Sequence, residues 1–184
     1  MIYPIYVYGS PVLRKETEQV PVDAPELRQL VDDMFETMYA ASGVGLAAPQ
    51  IGKSMRLFVI DASPYEEDEP ALAGFKKAFI NADIYERSEE AITMEEGCLS
   101  FPKLYENVSR PERIRIRYTD ENGVEHDEEY SGMAARVIQH EYDHIEGKVF
   151  VDHLSPLRKT LLSSKLGSFA KGKFRASYKC KLPK

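Results

Sequence analysis

Gln139-His140-Glu141-Tyr142-Asp143-His144 is the stretch that decides how this chain is read. It lies in a segment where Met133, Val137, His140 and His144 fall on one stripe at 100° per residue. The spacing predicts a helix from about Gly132 to Ile145, with Ser131 placed to cap its start. Two imidazoles four residues apart sit one turn from each other and point at one metal ion. Glu141, beside them, cannot easily reach the same ion, but it can reach a water held there and move its protons. Two ordinary helix histidines are the plain alternative.

A catalytic metal of this kind keeps three protein ligands and one open position, so a third ligand has to be found. The metalloprotease pattern H-E-x-x-H-x-x-G-x-x-H is matched through Gly147, but Phe150 stands where its third histidine belongs. Other proteases take a glutamate from a following helix. Beyond Glu146 there is no Glu, and the one Asp, Asp152, is too near in sequence to wrap back. The search therefore moves upstream to Glu95-Glu96-Gly97-Cys98-Leu99-Ser100. Cys98 is the natural donor, because a thiolate beside a divalent ion is deprotonated and Gly97 permits close backbone approach. A small buried hydrophobe is the other reading of Cys98.

Further out, Gly43-Val44-Gly45-Leu46-Ala47-Ala48-Pro49-Gln50 combines small residues that permit a tight backbone with a terminal amide that has no apolar reason to be there. It is either a simple turn or part of a site, and it lacks the Lys and Ser/Thr of a phosphate loop. Residues 25–41 space Leu27, Leu30, Val31, Met34 and Met38 as an amphipathic helix starting at Pro25. Met55–Ile60 and Ala78–Ile84 read as strands around an exposed acidic loop at 62–76 that carries no evident chemistry. Residues 112–119 alternate with period two, and Asp120-Glu121-Asn122-Gly123 turns them into 124–130 as an antiparallel hairpin. A last helix over 155–166 begins at Ser155-Pro156 and carries Leu157, Leu161, Leu162 and Leu166.

Composition bounds the rest. A chain of 184 residues with 43% hydrophobic and 29% charged residues predicts one globular domain. It holds no apolar run of the roughly 18 residues a membrane span needs, and Met1-Ile2-Tyr3-Pro4 is not a basic region followed by an apolar one, so a cytoplasmic location is expected. Two cysteines are too few for a disulfide framework. Residues 155–184 carry nine Lys or Arg and no Asp or Glu, which leaves 15 basic against 30 acidic residues in 1–154. That divides the chain into a metallohydrolase catalytic domain, 1–154, and a basic helix and tail, 155–184, suited to an anionic partner or simply to solvent.

Taken in order, GVGLAAPQ at 43–50, EGCLS at 96–100 and QHEYDH at 139–144 resemble the three signature motifs of the peptide deformylases, and the similarity covers most of residues 1–155. The resemblance implies an α+β fold with antiparallel sheets surrounding the H-E-x-x-H helix, and a bacterial enzyme that removes the formyl group from the N-terminal methionine of nascent polypeptides. It implies that Cys98, His140 and His144 hold one divalent ion, Fe(2+) in the cell with Zn(2+), Ni(2+) or Co(2+) as substitutes. Hydroxide on that ion would attack the formyl carbon, with Glu141 shuttling protons and finally protonating the leaving amine. The Gln50 side-chain amide and the Leu99 backbone N–H would meet the oxyanion. An extended peptide would pair with Gly45, and its methionine would enter a pocket walled by Val44, Met133 and Val137. Glu96 and Arg110 would form a supporting ion pair. Tyr105 departs from relatives that place an Arg near the substrate, so no such contact carries over. In some relatives the C-terminal helix docks on the ribosome, a role that basic residues 155–184 would suit; no membrane or DNA partner is implied. Two rivals are a zinc endopeptidase and a catalytically silent ribosome-binding homologue.

Overall fold

In this computed structural model, which describes residues 1–183, the chain runs through β1 (Ile5–Tyr6), α1 (Leu27–Ala40), β2 (Gly45–Ala47), β3 (Leu57–Asp61), β4 (Lys76–Arg87), β5 (Ala91–Cys98), β6 (Phe101–Pro111), β7 (Arg113–Thr119), β8 (Glu125–Ser131), α2 (Gly132–Ile145), α3 (Pro156–Ala170) and β9 (Cys180–Lys181). Five strands form one antiparallel sheet in the order β2-β3-β4-β7-β8, β5 and β6 form a separate hairpin, and β1 pairs in parallel with β9.

Side-chain alternation explains where the helices sit. Along β3, Phe58 and Ile60 face one way and join α2 residues Ala135, Ile138 and Tyr142 in one cluster. Leu57 and Val59 face the other way and pack on Val31, Met34 and Met38 of α1. A strand buried on both faces reads as an unbroken apolar run, which is how LFVI reads. Phe58 and Phe79 sit opposite each other in the β3–β4 register, with ring centroids 4.8 Å apart. On β7, Ile114, Ile116 and Tyr118 point to α2 while Arg113 and Arg117 stay exposed. A third cluster joins Phe101, Leu104 and Val108 of β6 to Val149–Val151, Leu162 and Phe169.

The fold is the α+β arrangement the sequence predicts, with differences at particular points. Helix α1 starts at Leu27, after a turn at Pro25-Glu26. Strand β4 extends the expected 78–84 at both ends. Ser131 makes no capping bond with its side chain; instead Glu69 Oε1 accepts the Met133 N–H at 2.9 Å. A Cβ at Gly132, where φ is +59°, would lie 2.8 Å from the Glu69 carboxylate, so glycine leaves room for this cap. The 62–76 loop is therefore structured, with short 3₁₀ turns at Ser63–Tyr65 and Pro70–Leu72 and a buried Leu72. The last helix also runs four residues further than expected, and Leu157 and Leu161 lie exposed on it.

Candidate active site

Three chain segments converge on one point. Helix α2 delivers His140 and His144 from successive turns, their ring centroids 5.5 Å apart, both buried. Strand β5 ends in Cys98, where a two-residue turn, Leu99-Ser100, brings Cys98 opposite Phe101. Cys98 Sγ lies 3.3 Å from His144 Nε2, and one ligand atom from each of Cys98, His140 and His144 lies within 4.8 Å of the others. Bonds of about 2.0–2.3 Å to a tetrahedral ion separate its ligand atoms by about 3.3–3.8 Å, so the group is spaced for one ion. Phe150, at the place of the missing third histidine, packs its ring 5.8 Å from that of His140 and serves as core.

Behind the ligands lies a buried ionic cluster. His140 Nδ1–H donates to Glu96 Oε1 at 2.8 Å, which directs Nε2 to the site. Glu96 also accepts from Arg110 Nε at 2.6 Å and from Arg136 Nη1 at 2.7 Å. Arg110 continues to Asp143 at 2.9 Å, and His153 Nε2 donates to the same carboxylate at 2.7 Å. Burial alone would raise the Glu96 carboxyl, but His140 and Arg110 outweigh it and hold the group well below the ordinary range. Burial likewise works against charge on His140, yet Cys98, Glu96 and Glu141 hold a proton there well above the usual pKa. Burial, followed by repulsion from His140, pushes His144 down to about 3 and keeps the imidazole neutral, the form in which a histidine can bind a metal. His144 Nδ1 has no partner among the described residues, so packing and the contact of Nε2 with Cys98 orient that ring.

Glu141 faces the same space. Burial lifts its carboxyl to about 7, and Oε2 is buried with no partner among the described residues. A Cβ at Gly45 would meet Glu141 Oε1 at 2.6 Å, so the glycine at this position makes room for the carboxylate. A Cβ at Gly97 would strike the Tyr105 ring at 2.6 Å. Gln50 is held at both ends of its amide: Oε1 accepts the Ala47 N–H at 2.9 Å, and Nε2 donates to Ser100 Oγ at 3.1 Å, with Cys98 Sγ 3.5 Å away.

A cavity of about 450 Å³ opens on this group. Val44, Gly45, Met133 and Val137 line it together with Cys98, Leu99, His140 and Glu141, while Gln50 and His144 lie behind the wall. Sequence reasoning did not single out Arg136, Asp143 or His153. Arg136 precedes His140 by one turn, and a charged residue on the ligand stripe was the available signal. It also passed over Tyr65, and over Ala176 to Tyr178 in the tail, which all reach the same cavity.

The polypeptide deformylase family model matches residues 2–160. The chain is 49% identical over 190 residues to a peptide deformylase of Christiangramia forsetii, an alignment covering all of this chain and 97% of the relative. Its structure superposes on a peptide deformylase from Legionella pneumophila with a TM-score of 0.80, at 38% identity over 94% of this chain and 98% of the other. Against the Thermotoga maritima peptide deformylase the TM-score is 0.77, at 42% identity over 85% of this chain and 99% of that one. A cysteine sulfur and two imidazoles spaced for one ion, with a buried carboxylate beside them that has an oxygen without a partner among the described residues, stand in a chain that these likenesses cover almost end to end: it belongs to the peptide deformylase family.

Proposed function

We propose that Cys98, His140 and His144 hold one divalent ion, and that Glu141 carries the protons, in the hydrolytic removal of the N-formyl group from the formyl-methionine of newly synthesised polypeptides. The observation that carries the residue assignment is the convergence of those three donors beside a buried carboxylate with a free oxygen. A divalent ion held by these three residues would supply Lewis acidity toward the formyl oxygen and would make water more acidic at the site. Glu141 takes a proton from the attacking water and returns it to the amine as the carbon–nitrogen bond breaks, leaving formate and a free N-terminus. The Gln50 amide and the Leu99 N–H stabilise the charge that develops on the formyl oxygen. Val44, Met133 and Val137 receive the methionine side chain, and Gly45 pairs with the peptide backbone. Fe(2+) is the ion we assign, since a mixed thiolate and imidazole set accommodates it as well as Zn(2+), Ni(2+) or Co(2+).

Anaerobic hydrolysis of formyl-Met-Ala-Ser beside Met-Ala-Ser, with metal analysis of the same preparation, tests this reading. Formate from the first peptide and no peptide-bond cleavage in either is expected. Cleavage inside either peptide would restore the endopeptidase, and no formate from metal-loaded protein would restore the silent homologue.

No helix among the described residues is long and apolar enough to cross a membrane, and we place the reaction in the cytoplasm. We assign the basic segment 155–184 to contact with ribosomal RNA. Lys159, Lys165 and Lys171 are exposed on or beside α3, whereas Arg158 is engaged with Glu106 at 2.6 Å. Cutting the chain at Leu154 would also strip Leu162 and Phe169 from the core. The combined Lys159→Glu and Lys165→Glu change is therefore the clean test: weaker ribosome binding with a shallower salt dependence is expected, and unchanged binding overturns the assignment.

A further inference from the structure

The family match stops at residue 160, while the chain continues back to the active site. After α3, Gly172 turns the backbone at a φ of +72°. Phe174 then packs on Phe169 with ring centroids 5.8 Å apart. Cys180 and Lys181 pair with Ile5 and Tyr6, and the Ile5 N–H donates to Lys179 O at 2.9 Å. Gly9 accommodates this return: a Cβ there would lie 3.0 Å from Ala170 and 3.2 Å from Pro183. Fastened at both ends, the intervening strap presents Ala176, Ser177 and Tyr178 to the cavity that contains Cys98 and Glu141. The Tyr178 hydroxyl donates to the Leu99 carbonyl at 2.6 Å, and its ring packs in the cluster that includes Leu99, Tyr3 and Met55.

That bond lands on a turn with little freedom. Ser100 is held by the Tyr8 N–H, which donates to its carbonyl at 2.9 Å, and by Gln50 on its hydroxyl. Cys98 is held by its strand. Leu99 lies between them: its carbonyl shares one planar peptide group with the Ser100 N–H, and its own N–H lies in the preceding plane with the Cys98 carbonyl. With Cys98 and Ser100 held, anchoring the carbonyl leaves the two Leu99 torsions that join those planes little freedom. We infer that Tyr178 is a positioning residue for the reaction: through the Leu99 carbonyl, the C-terminal strap sets the orientation of the Leu99 N–H and of the turn that carries Cys98. The inference rests on the role proposed above for that N–H.

Tyr178→Phe keeps the ring and removes the hydroxyl. Losing one donor to a positioning contact is expected to lower kcat for formyl-Met-Ala-Ser by about threefold to tenfold while KM stays within about twofold. Amide hydrogen exchange over residues 98–101 should quicken in the same variant, with the melting temperature nearly unchanged. Unchanged kcat, with or without faster exchange, overturns the positioning role, and so does a fall in kcat that merely follows a loss of folded protein. Should the wild type release no formate, the deformylase reading fails separately, and exchange over 98–101 still decides whether Tyr178 braces the turn.

Discussion

Helices α2 and α3 are nearly the same length and were read from the same kind of spacing, yet they live in different surroundings. In α2 every residue from Ala134 to Ile145 is buried, including Arg136, Gln139, His140, Glu141, Asp143 and His144. In α3 only Leu162 and Phe169 are buried, and Leu157 and Leu161 remain 71% and 64% exposed. The sheet covers one side of α2, and the ionic cluster ties another side to the β5–β6 hairpin through Glu96 and Arg110. Burying that many polar groups costs several kcal/mol unless each finds a partner. The Glu96 cluster supplies partners for Arg136, His140 and Asp143, and Gln139 donates to the Pro111 carbonyl, so these polar residues of α2 are interior and fixed. Glu141 and His144 each keep one polar atom without a partner among the described residues, and the polar residues of α3 are solvated.

The largest test of this contrast is Glu141→Gln. A positioned general acid and base contributes about 10²–10⁴-fold, so formate release should fall by that factor with bound metal unchanged. A loss below about tenfold would mean that some other group carries the proton.

Next is Glu96→Ala, which leaves Arg110 and Arg136 facing each other without their shared anion. Removing one member of a buried ionic group costs about 3–5 kcal/mol. Loss of the His140 partner should also weaken metal binding about 10–100-fold, as measured by retention during dialysis against a chelator. On α3, Phe169→Ala should cost about 3 kcal/mol in denaturant unfolding, because it empties a packed site, whereas Leu161→Ala should stay within about 0.5 kcal/mol. Equal effects at the two positions would break the picture of α3 as a helix attached along one narrow stripe.

Val137→Trp tests the cavity side of α2. A pocket filled at its wall should lose about 10-fold or more of its preference for formyl-Met over formyl-Ala in kcat/KM. An unchanged preference would place the methionine elsewhere.

The smallest effect lies between the helices, where Asp152 accepts from Arg14 at 2.6 Å. Burial alone would raise this carboxyl, but Arg14 and the Val149 N–H outweigh it and hold it below its ordinary value. The contribution is therefore present above the unfolded pKa of about 3.9 and lost as pH falls through the lower folded value. Because the Asp152 side chain is 34% exposed, the gain is small. Asp152→Asn should lower the melting temperature slightly at pH 7, with the gap closing below about pH 4. A gap that persists at lower pH would count against the ion pair as its cause.

Some of this was open to reading from the chain. Elements with clean periodicity were legible: α2, the β7–β8 hairpin, and the apolar run of β3 that is buried on both faces. The β5–β6 hairpin was not. The buried positions on β6 are Phe101, Pro102, Leu104, Glu106, Val108 and Arg110, so two of the six are charged and the alternation of apolar and polar residues is broken. The cap on α2 was misread for a related reason. Ser131 is the local candidate, but the bond comes from Glu69, 64 residues away. Glycines at 45 and 97 predict close approach of backbone, whereas the structure gives that space to Glu141 and to the Tyr105 ring.

By itself the sequence determined the chemistry on offer: two histidines and a glutamate in one helical register, a cysteine upstream, and an amide after a glycine-rich turn. Local spacing is enough for that, because 3.6 residues per turn places His140 and His144 together whatever surrounds them. Tertiary structure decided how deep α2 lies, which ligand histidine has a fixed partner, and that Tyr178 meets Leu99 across 79 residues. Those contacts join segments remote in sequence, and no periodicity records them. They exist because the sheet, the hairpin and the returning tail pack around one helix and must satisfy the polar groups they bury with it.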